Sequence, residues 1–366
     1  MKALVQSLGT VSTARAPVIV LAAVLAAGLL ARSVQAGGSK TFTVVLNGQN
    51  MIAYTVLATE RYGAGKSDVL LICGTSEGQG WAATWGSPVS DYPLALATDR
   101  EGNVYVAGVT RFVVWSESAS GYEISGPLDS GFLLKFTAAG NLQWAKTYGW
   151  SYHNVGFNDL VVDAAGDVVA VGYANRMPLP DTGDIEYECA FVVRCDPQGE
   201  PRWAYASHFS KYEHFNSVDL DAGGNLHAVG QINGGEESGM LLTGIAPDGT
   251  LRYAQSFVQG LGSYAYAACV DADHLYVGGL STLRQYPDPA FGDQFPQPDN
   301  DGTVLCFGLA GDYQWGVNVG GEYSDSVQGL AIGSNRMVCA MGYTATNFWP
   351  NATMPGQGSH DAMLFT

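Results

Sequence analysis

Along the chain, short runs of apolar and β-branched residues alternate with tight polar turns, and the same runs return in order. The stretch "LALATDREGNVYVAG" (94–108) comes back as "DLVVDAAGDVVAVG" (159–172), "SVDLDAGGNLHAVG" (217–230), "AACVDADHLYVGG" (267–279) and "GLAIGSNRMVCAMG" (329–342). A second block alternates with it: "DSGFLLKFTAAGNLQWAKTYG" (129–149), "ECAFVVRCDPQGEPRWAYAS" (188–207), "ESGMLLTGIAPDGTLRYAQSF" (237–257) and "DGTVLCFGLAGDYQWGVNVGG" (301–321). A looser version stands at 67–86, and "HDAMLFT" at 360–366 is its first half. Each block is two apolar runs around a tight turn, the pattern of a β-hairpin. Two hairpins in tandem make a four-stranded unit.

A small sheet that is apolar on both faces must be covered by neighbours, and units returning every 50–64 residues supply them. The pattern therefore predicts an all-β protein, a β-propeller of six four-stranded blades in one domain, 37–366. Two β-sandwiches would not explain why the same hairpin pair returns in the same order. Five blades start near 94, 157, 215, 264 and 326; a hairpin around Asn47-Gly48 together with 67–86 makes the sixth. The last blade lacks a fourth strand, and a strand near Thr41 to Leu46 is predicted to fill the gap and close the ring. The glycine turn is shortened to "DADH" and "GSNR" in the last two copies, with Gly333 in place of the usual acid, which predicts distortion in two blades.

The combination "DxxGNVYVAG", an acid before "xFLLKF", and "GNLQW" resembles the SBBP-type β-propeller repeat of exported bacterial and archaeal proteins, over about 65–366. The segment "NFWPNATMPGQGSHDAMLF" echoes that family's linker. The resemblance implies a propeller in an extracellular setting and supplies no common catalytic residues. The Gly-to-Trp spacing of "GNLQW" and "GEPRW" is also similar to the tryptophan-docking repeats of quinoprotein propellers. Phe136 and Cys195 stand where that pattern has Asp, so no quinone cofactor is expected.

Residues 1–36 change the setting. Lys2 and Arg15 precede the apolar run "PVIVLAAVLAAGLL", and "VQA" at 34–36 offers small residues for cleavage. The 16 residues between Arg15 and Arg32 fall short of a membrane span, so an export signal is expected, with no membrane insertion after cleavage. Losing three basic and no acidic residues would take the net charge from −17 to −20. That charge repels nucleic acid, which is excluded as a partner, and suits a soluble secreted monomer at or near the cell surface. Six cysteines in an exported chain raise the question of disulfides. Cys189 and Cys195 on one strand would lie roughly 20 Å apart, too far to pair, and buried thiols are expected for most of the six.

The short turns fall at one end of every blade and the long variable segments at the other, where binding usually resides. Those segments hold the candidate binding residues Trp115, Trp150, Tyr152, His153, His208, Lys211, Tyr212, His214, Tyr286 and Trp349. Aromatic rings there suit sugar faces or a partner protein, and the three histidines are weighed as a metal site or acid–base pair against simple exposure. Asp288, Asp293, Asp299 and Asp301 offer oxygen ligands for Ca2+ without the spacing of an EF-hand, so no resident cofactor is expected. The acids that open each tryptophan hairpin, Asp68, Asp129, Glu188, Glu237, Asp301 and Asp361, recur in every blade and read as structural. There is no GxSxG elbow and no phosphate-binding loop. The leading reading is a non-catalytic propeller that binds an extracellular protein or glycan through its long-loop face. The alternatives are a polymer-acting hydrolase or lyase with a divalent ion at the channel mouth, and a structural spacer.

Overall fold

The computed structural model describes residues 34–36, 39–46, 49–57, 67–75, 80–87, 90–118, 121–148, 154–175, 187–207, 209–233, 238–257, 262–282, 300–319, 323–333, 336–345 and 361–365. Among them every regular element is a strand. The first blade is β1 (Val34–Ala36), β2 (Ser39–Leu46), β3 (Gln49–Leu57), β4 (Ser67–Thr75) and β5 (Gly80–Trp85). The second is β6 (Ser90–Thr98), β7 (Val104–Ser118), β8 (Gly121–Phe136) and β9 (Leu142–Tyr148). The third is β10 (Val155–Val162), β11 (Val168–Asn175), β12 (Glu188–Cys195) and β13 (Pro201–Ala206); the fourth is β14 (Glu213–Leu220), β15 (Leu226–Ile232), β16 (Gly239–Ile245) and β17 (Leu251–Phe257). The fifth is β18 (Tyr264–Val270), β19 (His274–Ser281), β20 (Asp301–Gly308) and β21 (Tyr313–Val319), and the sixth is β22 (Asp325–Ile332), β23 (Val338–Thr344) and β24 (Asp361–Phe365). Strands pair with their sequence neighbours throughout, and a single parallel bridge, Ser67 to Ser90, joins the first blade to the second.

Alternation along each strand sends residues to two different cores, which is how the sheets come to cover one another. On β7, Val104 and Val106 join a cluster with Val69 and Leu71 of the first blade, while Tyr105 and Ala107 join one with Phe157 and Phe191 of the third. The same sharing continues through Phe215 and Leu241, through Leu275 and Phe307, and through Val327 and Leu330. Five interior layers thus lie between the six blades, and the protein is a β-propeller.

A bulge recurs in the first strand of the second to sixth blades, one register step after Pro93, Phe157, Phe215, Ala265 and Val327. It pushes a carbonyl against the second strand, where a Cβ on Gly108, Gly172, Gly230, Gly279 or Gly342 would come within 1.8–2.1 Å of it. The repeated "VAG" glycine is therefore a close-approach site.

The blades are also joined at their turn ends. Trp81, Trp144 and Trp203 donate their indole N–H to Ala138, Pro197 and Pro247 of the next blade, at 2.9–3.0 Å. Each ring lies over that blade's turn glycine: Gly140, Gly199 and Gly249. At the next junction Tyr253 covers Gly311, and Gln255 reaches its carbonyl at 2.6 Å.

The recurring turn aspartate is a local device. Asp99 accepts from the N–H groups of Glu101 and Asn103, and Asp163 and Asp221 repeat the pattern. Its second oxygen finds a partner that differs by blade: Tyr105, Arg194, His227 or Tyr276. His227 is wholly enclosed, with Nδ1 2.8 Å from the Tyr253 hydroxyl, and burial holds its pKa below the ordinary value of 6.5. Because the unfolded chain binds this proton at higher pH than the folded one, stability is expected to fall as pH drops below about 6.5. One proton bounds the slope at about 1.4 kcal/mol per pH unit. Urea unfolding between pH 7.5 and 5 should show the slope in the wild type and a flatter one in His227→Gln.

Four expectations are corrected. β2 pairs with β1 and β3, and β24 pairs with β23, so the Thr41 to Leu46 strand does not complete the last blade. The hairpin around Asn47-Gly48 is local, and its pairing closes a far shorter loop than pairing with the C-terminal end would. Residues 111–128, the long variable segment that holds Trp115 and was expected as a loop, carry β7 and β8 onward as a paired ribbon out to Ser118 and Gly121. Their β-branched and aromatic residues suit a strand pair. "GSNR" keeps the full turn, because Arg336 adopts the positive φ (64°) that glycine supplies elsewhere, with its N–H on Gly333. "DADH" is the shortened one, closed by Asp271 N–H on His274. Finally, the acids of the third strands do not share one place. Asp129 and Glu188 stand opposite Arg111 and Asn175, whereas Asp301 and Asp361 stand opposite Ser281 and Thr344, one residue along in the register. None of the six cysteines forms a disulfide, and all but Cys339 are buried.

Candidate functional site

At the end of the blades away from the short turns, side chains of three consecutive sheets converge. Gly156 on β10 leaves room for the Tyr173 ring on β11, since a Cβ there would lie 2.5 Å from it. Tyr173 stacks on the His214 imidazole of β14, with centroids 4.8 Å apart and planes 23° from parallel. His214 Nε2 meets Glu188 Oε1 of β12, and the Tyr173 hydroxyl donates to Asp129 Oδ2 of β8 at 2.9 Å. The backbone N–H of Asp129 in turn donates to Asn154 Oδ1 at 3.0 Å. A line of carboxylate, phenol, imidazole and carboxylate thus crosses from the second blade to the fourth. His214 and Glu188 keep 28% and 21% of their side chains in solvent.

The connection into the fourth blade is tied down from beneath. Glu213, wholly buried, accepts the Ser207 hydroxyl and the Ser210 N–H. Desolvation, and then the Glu213 charge, push the neighbouring Cys189 thiol up to about 12, so it stays protonated and unreactive. A parallel bridge from Glu188 to Tyr212 and an N–H bond from Asn233 to Tyr212 fix the outer side. On that base Tyr187, Phe209 and Tyr212 are exposed, Tyr212 by 54%, and the Lys211 ammonium stands 5.1 Å over the Tyr187 ring. The result is an aromatic and cationic patch on a rigid support, with an oriented imidazole at its edge.

Of the residues singled out from sequence, Lys211, Tyr212 and His214 come together here. His214 is not the exposed loop histidine expected: it lies in β14, half-buried, because the strand begins at Glu213. Trp115 lies in β7 within the ribbon. Trp150, Tyr152, His153, His208, Tyr286 and Trp349 lie outside the described residues, as do Asp288, Asp293 and Asp299. Sequence reasoning missed Asp129, Tyr173, Glu188 and Tyr187. Tyr173 carried only a partial signal: its place after the "VAG" glycine holds Val109, Gln231 and Leu280 in three copies, and a tyrosine again, Tyr343, in the last. At the opposite end, Asp271, Asp273 and His274 bring ligand atoms within 4.8 Å of one another, with Arg336 on Asp273 at 2.6 Å.

No protein-family model matches the chain, and no curated protein matches it. Among solved structures it is similar to a protein of unknown function from Dyadobacter fermentans, at 10% identity and a TM-score of 0.49, covering 87% of this chain and 92% of that one. It is also similar to a protein of unknown function from Bacteroides caccae, at 10% identity and a TM-score of 0.32, covering 72% and 93%. A third likeness is to the parainfluenza virus 5 hemagglutinin-neuraminidase ectodomain, at 7% identity and a TM-score of 0.45, covering 87% and 80%.

Proposed function

We propose that the protein is a secreted, non-catalytic propeller that binds an extracellular protein or glycan through the long-loop face of its second to fourth blades. The observation that carries this reading is the exposed group of Tyr187, Phe209, Tyr212 and Lys211, held by backbone bridges and by a buried glutamate. Large rings on a fixed base bind at little entropic cost, and they suit sugar faces or the apolar anchors of a partner. Export would remove the first 36 residues, β1 among them, and would leave β2 as the end strand of a four-stranded first blade.

Tyr212→Ala and Lys211→Ala are expected to weaken capture at least tenfold each and to shift the melting temperature by less than about 2 °C, since exposed side chains contribute little to folding. Arrays of immobilised polysaccharides and pull-downs from envelope extracts supply the probes. Unchanged capture by both variants would sink the proposal. The enzymatic alternative draws on one observation, the meeting of the His214 imidazole with the Glu188 carboxylate. It requires turnover of an extracellular polymer that is lost in His214→Gln.

A further inference from the structure

Independently of that face, the junction of the first two blades encloses two carboxylates with no counter-charge among the described residues. The parallel bridge from Ser67 to Ser90 sets the starts of β4 and β6 side by side, and the next residue on each is an aspartate: Asp68 and Asp91. Both are 0% exposed. Asp91 is held by the Ser87 N–H at 2.7 Å and the Ser87 hydroxyl at 2.9 Å, and that hydroxyl lies 3.0 Å from Thr110 Oγ1. Asp68 has no such support, since neither of its oxygens has a hydrogen-bond partner among the described residues. Its Oδ1 lies against Gly86, where a Cβ would stand 2.2 Å away, so the Gly86-Ser87 pair is wedged between the two acids.

The fold does not demand this pairing. By register, the same two places hold Ser130 and Val155, or Cys189 and Glu213, at other junctions. Asp301 and Asp325 occupy them between the fifth and sixth blades, and each of those has partners of its own. An ionised carboxylate buried without a donor or a cation is expensive, and a second one beside it adds repulsion. Burial pushes Asp91 upward in pKa, the Ser87 and Thr110 hydrogen bonds hold it back in part, and the Asp68 charge adds a smaller upward push. No lysine, arginine or histidine among the described residues pairs with either acid. Three things can relieve the strain: a shared proton, a solvating water cluster, or a bound cation.

We propose that Asp68 and Asp91 hold a hard divalent cation, of the Ca2+ class, that staples the first blade to the second. Two carboxylates supply charge −2, and the hydroxyls of Ser87 and Thr110 stand beside them, an all-oxygen set. An enclosed set of protein oxygens suits Ca2+ better than Mg2+, which keeps its waters.

The test uses the full chain, stripped with EDTA and then given CaCl2 or MgCl2, with bound metal and melting temperature as readouts. The expected result is bound Ca2+ and a rise in melting temperature of about 5 °C at a hundredfold excess over Kd, with a smaller response to Mg2+. Asp68→Asn keeps the shape, removes one charge, and should lose the Ca2+ response while being no less stable than the stripped wild type. Asp91→Asn provides a second variant with the same expected loss. A wild type that ignores Ca2+ overturns the proposal, as does an equal Ca2+ response in both variants, which would place the ion elsewhere. A metal-independent wild type that gains stability on acidification would show instead that the pair shares a proton.

Discussion

Gly172→Ala is expected to destabilise the protein by about 3 kcal/mol, the upper part of the usual range for forcing atoms into a packed interior. The added methyl would lie 1.9 Å from the Gly156 carbonyl oxygen and 3.0 Å from the Phe157 Cα. Neither is the end of a flexible side chain, so β10 and β11 must part where they form the wall shared with the second blade. Phe157 would move with them, and it packs edge-on against Tyr148 and stacks on Phe191. Thermal melting should drop by about 8 °C. Gly74→Ala is the control: no atom lies within 4 Å of its Cβ position, so this change should stay within about 1 kcal/mol of the wild type. Equal effects at the two sites would mean that the bulge does not set the glycine requirement.

Arg194→Met should cost a similar amount, about 3 kcal/mol, because it strands charges that the fold has enclosed. Arg194 is 5% exposed and bridges two aspartates, with Nη2 on Asp163 and Nε 3.0 Å from Asp167 Oδ2. Asp163 keeps the N–H groups of its own turn and Asp167 keeps Arg202 at 2.9 Å, which limits the loss. Methionine fills most of the vacated volume, so the cost reads the charge and not a cavity. Adding Asp163→Asn to Arg194→Met should recover part of the loss, and urea unfolding of the two single variants and the double measures the coupling. No recovery would show that the guanidinium acts through its packing alone. The bridge is particular to this blade. In the blade before it, Lys135 takes the same place with its ammonium 5.0 Å over Tyr105, and in the blade after it Gly244 leaves the turn aspartate to His227.

Much of the architecture was legible from particular residues. The Asp-x-x-Gly turns at Asp99, Asp163 and Asp221 form as expected because their hydrogen bonds span at most four residues. The tryptophans of "GNLQW" and "GEPRW" were legible as repeat positions, whereas their bonds to a carbonyl of the next blade emerge only from the packing. The candidate site was legible only in part. Lys211, Tyr212 and His214 stood out as a basic and aromatic cluster, but Asp129, Glu188 and Tyr173 looked like ordinary repeat positions. What makes them functional candidates is that three different sheets bring them together, over separations of 26 to 44 residues.

The amino-acid order alone determined the strands, the tight turns, the repeat and the count of blades, because period-two alternation and turn chemistry act over a few residues. The three-dimensional packing decided which acids share a face, which carboxylates are buried together between blades, and where the N-terminal strands pair. The physical reason is that a bulge or a one-residue offset in pairing turns every following side chain to the opposite face of its sheet, and that offset is set between strands and not within them.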